Sequence, residues 1–512
     1  MAAGHDREAG PTLRRTLNVW SAVGVSVALM APSMAININP QGTAAAVGRA
    51  VPLAFLMATV GVLLIAHTFV RLSARFSHAG SVYAFVGVTL GPRSGSVAGW
   101  LNAGTYIFYG AVTSTAAGIF LTDLARKVLG PNVIPGWAAF LFAWLVLAGV
   151  WLLAVRDIKR GTALLLAVEG VTIALILVVA AIALGKLITG RAPAGQRVDF
   201  SVFSVSPGTS VSTVFLGIVF GFLSFAGFEA AATLGEETRE PRRNIPRAIL
   251  GTALFGGVFF VVVTAIEMMA FGTDAQGVAA FTKSEALMGD LSEQYVAPWL
   301  SYVIVVGATF SAAACCLASV VGASRLIFAL SRDGMGPAAL ATVHRSRNTP
   351  HRAATAGVVL VACIQGLGWA VLHAAPFDVF TISATAGTLI LLVAYALATL
   401  GALRLLFFSN RGEVGRWEVV IPVLGLALLG YTLYRNVVPL PTGSALWGPG
   451  LAIGALTLVV TVVLARPAAA REAGAKLLSQ QGFPAVGSGG HPGGITRQRD
   501  DVGDRHDTGR GR

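Results

Sequence analysis

Three stretches put chemically capable residues inside otherwise apolar sequence. The first reads Ala31-Pro32-Ser33-Met34-Ala35-Ile36-Asn37-Ile38-Asn39-Pro40-Gln41-Gly42. Each proline there removes a backbone donor and crowds the preceding turn, and the amide side chains bring donors and acceptors of their own. The second, Phe220-Gly221-Phe222-Leu223-Ser224-Phe225-Ala226-Gly227-Phe228-Glu229, sets two glycines and an acid in an aromatic run. Glycine permits backbone angles that break a helix, and Glu229 needs an interior setting where it is paired or protonated. The third is Glu169, in Leu166-Ala167-Val168-Glu169-Gly170. The chemistry these groups offer is binding. An interrupted helix exposes amide donors at the start of one half and carbonyl acceptors at the end of the other. Donor ends attract carboxylates and acceptor ends attract cations or ammonium groups, so a zwitterion fits both. Glu169 can carry a proton or serve as a hydrogen-bonded structural acid, and Glu229 can cap the half-helix after the break or gate the site.

Catalysis has no comparable support. His67 stands alone in its apolar run, and no HExxH, GxSxG or GxGD pattern occurs. Cys315, Cys316 and Cys363 lie in apolar runs without a CxxC or His/Cys cluster. They read as small core residues; no metal site, disulfide or cofactor is expected.

The elements that position these groups follow from composition and run length. The chain has 512 residues, 55% of them hydrophobic and 12% charged; soluble domains carry about 25% charged residues. With a mean hydropathy of +0.73, the outer surface suits lipid, and nucleic acid is excluded as a partner despite the net charge of +13. A helix needs about 20 apolar residues to cross a bilayer core of roughly 30 Å. Such spans are expected near 19–47, 51–72, 96–122, 136–155, 162–188, 212–235, 247–272, 297–330, 354–374, 378–408, 418–436 and 446–465. Residues 1–18 are polar and mixed in charge, without a secretory signal, and are expected as a retained cytoplasmic segment. Residues 466–512 are expected as a disordered cytoplasmic tail. Lys and Arg number 21 on the side of the termini, before the tail, and 8 on the other, which places both termini in the cytoplasm. The two interrupted spans are the first and the sixth, so they run in opposite directions, as a five-plus-five inverted repeat requires.

Several segments carry a resemblance to a known group. Ser77-His78-Ala79-Gly80-Ser81-Val82-Tyr83-Ala84-Phe85 is followed by Leu90-Gly91-Pro92-Arg93 and Ala98-Gly99-Trp100. Phe225-Ala226-Gly227-Phe228-Glu229 leads to Glu236-Glu237-Thr238 and Pro241-Arg242-Arg243-Asn244-Ile245-Pro246-Arg247. Arg325-Leu326-Ile327-Phe328-Ala329-Leu330-Ser331-Arg332-Asp333-Gly334 closes the series. In order and spacing these resemble the amino acid–polyamine–organocation superfamily of permeases, over roughly 15–410. Where many members carry a glycine-rich stretch in helix one, this chain has Pro32-Ser33-Met34-Ala35-Ile36.

The resemblance implies an all-α integral membrane protein of about twelve helices. Helices 1–10 (19–408) would form a LeuT-type inverted repeat with helices 1 and 6 broken, and 409–465 would supply helices 11 and 12. It implies a permease in the bacterial inner membrane that moves amino acids or related amines by alternating access, driven by a proton gradient or by exchange. Helices one, two, six and seven would rock against three, four, eight and nine. Substrate would contact Pro32, Ser33, Met34, Ala35, Ile36, Asn37, Phe225, Ala226, Gly227 and Phe228, with Glu169 and Glu229 coupling or gating. Glu169 falls at or near a position where sodium-independent members can have a lysine. Tyr106 and Tyr109 are expected to pack rather than wall the pocket. Glu236, Glu237, Arg242 and Arg243 are read as a cytoplasmic cluster, either an ion-paired gate or a solvated loop. Glu267 receives no role. Which solute is carried, and the oligomeric state, stay open.

Overall fold

A computed structural model describes residues 18–76, 81–156, 161–205, 209–234, 238–344, 349–408 and 414–480, with side chains except at 81, 161–165 and 474–480. Glu236, Glu237 and the segment 77–80 lie outside the described residues. Helices α1 (Val19–Met30) and α2 (Pro32–Val47) share the first crossing, and α3 (Val51–Ser73) makes the second. After the short α4 (Ser81–Leu90), α5 (Pro92–Leu129), α6 (Ala138–Arg156) and α7 (Gly161–Ile188) make the third to fifth. Helix α8 (Val211–Ser224) opens the sixth and α9 (Pro241–Phe271) is the seventh. Two short helices, α10 (Ala275–Lys283) and α11 (Leu287–Tyr295), precede α12 (Pro298–Arg332). Helices α13 (His351–Ala370), α14 (Pro376–Leu403), α15 (Val420–Val437) and α16 (Trp447–Ala465) complete the crossings, and α17 (Pro467–Gln480) follows them.

Among the described residues, ten helical stretches are long and apolar enough to cross a bilayer. The first of them, Val19–Ser73, has 55 residues and would reach about 80 Å as one rod. That is more than twice a hydrocarbon core of roughly 30 Å, so the stretch must cross twice. Gly48, at φ 60°, makes the reversal. The sixth crossing falls outside the ten because α8 has only 14 residues, about 21 Å of helix. Irregular backbone from Phe225 and a 3-10 turn over Ala230–Leu234 extend it. Among the described residues these make twelve crossings, as the apolar runs predict.

Two sets of helices pack within themselves and meet along α12 and α14. Helices α1, α2, α3, α8 and α9 contact one another, and α5 sits against α6, α12, α13 and α14. Small residues allow the close approaches: a β-carbon on Gly221 would lie 2.6 Å from the Ala58 side chain, and one on Gly118 would lie 2.1 Å from the Ala139 carbonyl. Side chains such as Leu141, Leu145, Val359, Val423 and Leu458 on α6, α13, α15 and α16 point outward, as a lipid-facing surface allows.

Two expectations are corrected. Pro40 does not break its helix; it lies within α2, and the interruption of the first crossing is confined to Ala31. The chain after Arg466 is not unstructured from the start. Helix α17 buries Ala470 and Ala473 in a cluster with Tyr83, Leu330 and Met335, and these small apolar residues at helical spacing were too few to register as a core face.

Candidate functional site

The first break is set by Pro32. A proline disfavours right-handed helical angles in the residue before it, and Ala31 adopts the left-handed region at φ 47°, ψ 58°. Helix α1 therefore stops at Met30 and α2 restarts at Pro32. The amide donors at the start of α2 can be followed one by one. Pro32 has none. The Ser33 amide donates to Glu169 Oε1 at 2.9 Å, and the Met34 amide donates to Ser311 Oγ at 3.3 Å. The Ala35 amide donates to the Ala31 carbonyl at 2.9 Å, which begins the helical ladder. Glu169 is 5% exposed, and the Ser33 and Ser311 hydroxyls lie beside its carboxyl.

The second break lies where Phe225–Glu229 was expected to make it. Helix α8 ends at Ser224, and the amides of Phe225 and Ala226 fold back onto the carbonyls of Phe222 and Leu223 at 3.1 Å each. Gly227 then takes φ +99°, a conformation costly for any residue with a β-carbon. A β-carbon there would also sit 2.7–2.9 Å from Leu29 atoms. The crossing resumes only as the 3-10 turn, whose Ala231 amide donates to Ser26 Oγ of α1 at 2.9 Å. Further on, Asn39 Nδ2 donates to Ser224 Oγ at 2.8 Å. The two broken crossings are thus bonded to each other on both sides of their breaks.

A cavity of about 30 Å³ lies between the breaks. Its wall includes Leu29 and Met30 at the carboxy-terminal end of α1, Leu223 at that of α8, and Ala226, Gly227 and Glu229 beyond. Helix α5 contributes Asn102, Thr105, Tyr106, Tyr109, Val112 and Thr113, and α12 contributes Cys315 and Ser319. No lysine, arginine or histidine lines it among the described residues. Glu229 is its acidic group, 6% exposed, and Oε2 has no hydrogen-bond partner among the described residues. The Tyr395 hydroxyl lies close by without an aligned hydrogen bond. The Cys315 thiol donates to the Leu29 carbonyl at 3.1 Å.

Of the residues expected at the site, Met34, Ala226, Gly227 and Glu229 meet at this cavity, and Pro32, Ser33, Ala35, Ile36, Asn37, Phe225 and Phe228 do not line it. Asn37 works elsewhere. Its Oδ1 accepts from the amides of Met288 and Gly289 at 3.0 and 3.3 Å, and its Nδ2 donates to the Ser33 carbonyl at 2.8 Å. It thereby joins α2 to the start of α11, which Lys127 of α5 also reaches through Asp290 at 3.2 Å. Glu229 does not cap an α-helix, because only a 3-10 turn follows it. Glu169 faces the start of α2 and not the cavity. Glu267 is fully buried off the cavity, with both carboxyl oxygens unpartnered among the described residues.

Tyr106 and Tyr109, expected as packing, wall the cavity instead. The signal for them was a stripe on α5: Asn102, Thr105, Tyr106, Tyr109 and Thr113 recur at helical spacing and are mostly polar, a face too polar for a lipid or core contact.

The comparisons with known proteins agree with this architecture. A family model described as amino acid permease matches residues 25–470. A low-affinity putrescine importer of Escherichia coli, PlaP, is 26% identical over 411 residues, covering 80% of this chain and 82% of the importer. A branched-chain amino acid permease of Bacillus subtilis, BcaP, is 23% identical over 364 residues, covering 67% and 71%. The crystal structure of a mutant manganese transporter from Eremococcus coleocola shares the fold, with a TM-score of 0.53 at 11% identity, covering 91% of this chain and 99% of that one. A multi-pass chain whose relatives are permeases is a secondary transporter and not an enzyme. The chain belongs to the amino acid permease family.

Proposed function

We propose that the protein carries small amine-bearing solutes, amino acids or amines, across the bacterial cell membrane by alternating access, with the solute seated between the two helix breaks. The observation that carries this reading is the wall of the cavity. Two helices end there with their carbonyl poles, and a buried carboxylic acid, Glu229, holds an unpartnered oxygen beside them. Helix carboxy-termini favour cations, and an ammonium group can satisfy carbonyls and carboxyl together. Two relatives, a putrescine importer and a branched-chain amino acid permease, support an amine-bearing solute. A cavity of about 30 Å³ holds one or two waters, so a solute enters only after the helices rearrange, as alternating access demands. Helices α1, α2, α3, α8 and α9 pack on one another and meet α5, α12 and α14 around the cavity, an arrangement that suits a bundle rocking on a scaffold. The excess of Lys and Arg on the side of the termini favours cytoplasmic ends, and a proton gradient or exchange would drive accumulation.

The test is a thermal-shift screen of the purified protein against amino acids, polyamines and simple amines, followed by counterflow in proteoliposomes. A stabilising amine-bearing ligand that also gives counterflow is expected. A protein that binds and exchanges none of them does not have this function.

A further inference from the structure

We infer that Glu169 is a specificity-determining residue that makes the site select amines lacking an α-carboxylate over the corresponding amino acids. The inference rests on the amine-binding reading above and narrows it. In a broken-helix site the natural seat for a substrate carboxylate is the donor end of a half-helix. Here that end is α2, and its donors are spent. Pro32 offers no N–H, the Ser33 amide is bonded to Glu169 at 2.9 Å, the Met34 amide to Ser311 at 3.3 Å, and the Ala35 amide to the Ala31 carbonyl. The carboxyl group already at the seat belongs to the protein. It is buried, and it comes from α7, which lies outside the cavity wall.

The cavity itself offers a carboxylate nothing in exchange. Its acidic group among the described residues is Glu229, its helix ends are carbonyl ends, and no cationic side chain reaches it. A zwitterion would have to set its carboxylate against that acid or displace Glu169 from the Ser33 amide. An amine without a carboxylate meets neither obstacle, and its ammonium group finds the unpartnered Glu229 oxygen. Unfavourable contacts to the wrong substrate discriminate as effectively as favourable contacts to the right one.

The experiment uses pairs that differ only by the carboxylate: putrescine against ornithine, agmatine against arginine, isobutylamine against valine. Each member competes in thermal-shift titrations and in counterflow with the reconstituted full-length protein. In the wild type the amine of each bound pair is expected to bind about tenfold or more tightly than its amino acid, the worth of one charge-assisted hydrogen bond. Glu169→Ala frees the Ser33 amide and should shrink that preference severalfold by improving the amino acid. Glu169→Gln keeps an oxygen at the seat and should retain most of it. Amino acids that bind wild type as tightly as their amines overturn the inference while leaving the amine-bearing reading intact. So does a preference unchanged in a folded Glu169→Ala. If Glu169→Ala does not fold, the wild-type pairs decide alone. Failure of every compound to bind removes both readings.

Discussion

Gly227→Ala separates the two physical demands made at the break in the sixth crossing. The backbone there has φ +99°, a conformation that costs a residue with a β-carbon about 1–2 kcal/mol. The added methyl would lie 2.7 Å from Leu29 Cγ and 2.9 Å from its Cβ and Cδ2, and such overpacking costs about 1–3 kcal/mol. The sum, about 2–5 kcal/mol, corresponds to a loss between roughly thirtyfold and a few thousandfold if the transport-competent conformation bears it all. Counterflow in proteoliposomes, normalised to correctly inserted protein, measures this, and a thermal melt records any part that falls on the fold. Leu29→Ala in the same chain removes Cγ and Cδ2 but keeps the Cβ at 2.9 Å, so it should relieve most of the steric part and leave the backbone part. The double variant should then regain about one to two powers of ten over Gly227→Ala, after correction for Leu29→Ala alone. Wild-type uptake and melting by Gly227→Ala would mean that the break is not built as described. A double variant no better than the single would mean that Leu29 does not close over Gly227.

Three further outcomes follow from single residues. Glu229→Gln keeps the shape and removes the charge, so competition by amines should weaken by about ten- to 150-fold, the range for hydrogen bonds to charged groups; unchanged affinity would remove Glu229 from the seat. With exposed Cys363 replaced by serine, mixed-disulfide formation between the cavity thiol Cys315 and a small methanethiosulfonate, with methanesulfinate leaving, should slow in saturating substrate, and equal rates would place the thiol off the solute path. Outside the membrane, the Thr273 hydroxyl at 2.6 Å, then the hydrogen bonds from Ser201, hold the Asp199 carboxyl below the usual carboxylate range. A depressed folded-state value adds stability above the unfolded value near 4, and that stability is lost as pH falls through the folded value. Asp199→Asn should therefore melt lower than wild type at neutral pH, with the gap closing below about pH 4; a gap that persists in acid would refute the ionic origin.

What the sequence disclosed about this site depended on which signals are local. Apolar run length is local, so the crossings were legible, including the sixth, whose helical part is too short to stand alone. Of the two glycines in the aromatic run, Gly227 takes the positive φ while Gly221 stays inside α8 and packs on Ala58, so the run marked the region of the break and not its residue. The first break was misjudged in extent because six polar or helix-breaking residues invite the reading of a long unwound stretch. Pro40 and the amides instead find partners across the bundle: Asn37 at α11, Asn39 at Ser224. Glu169 could be marked as a buried acid, but its bond to Ser33 joins residues 136 positions apart, and no pattern in either segment names the other. Neither Tyr106 nor Tyr109 alone differs from a packing residue; the polar stripe they share with Asn102, Thr105 and Thr113 is what sets the α5 wall apart.

The two breaks differ in a way that bears on how the bundle moves. In the first crossing one residue, Ala31, separates two α-helices of 12 and 16 residues, so both halves keep their own hydrogen-bond ladders and only one pair of dihedrals lies between them. In the sixth, α8 gives way to Phe225–Glu229 and then to a five-residue 3-10 turn, whose poorer hydrogen-bond geometry cannot hold its direction alone. That turn packs on α1 and α9 and is bonded to α1 through Ser26 Oγ and the Ala231 amide, while α2 holds the other side through Asn39 and Ser224. The stiff crossing therefore carries the weak one, and rotation about Ala31 would drag the 3-10 turn and with it Glu229. On the proposal that Glu229 holds the solute, that acid is mounted on the part of the cavity wall least able to stay in place when the first crossing bends, which suits a group that must release its ligand.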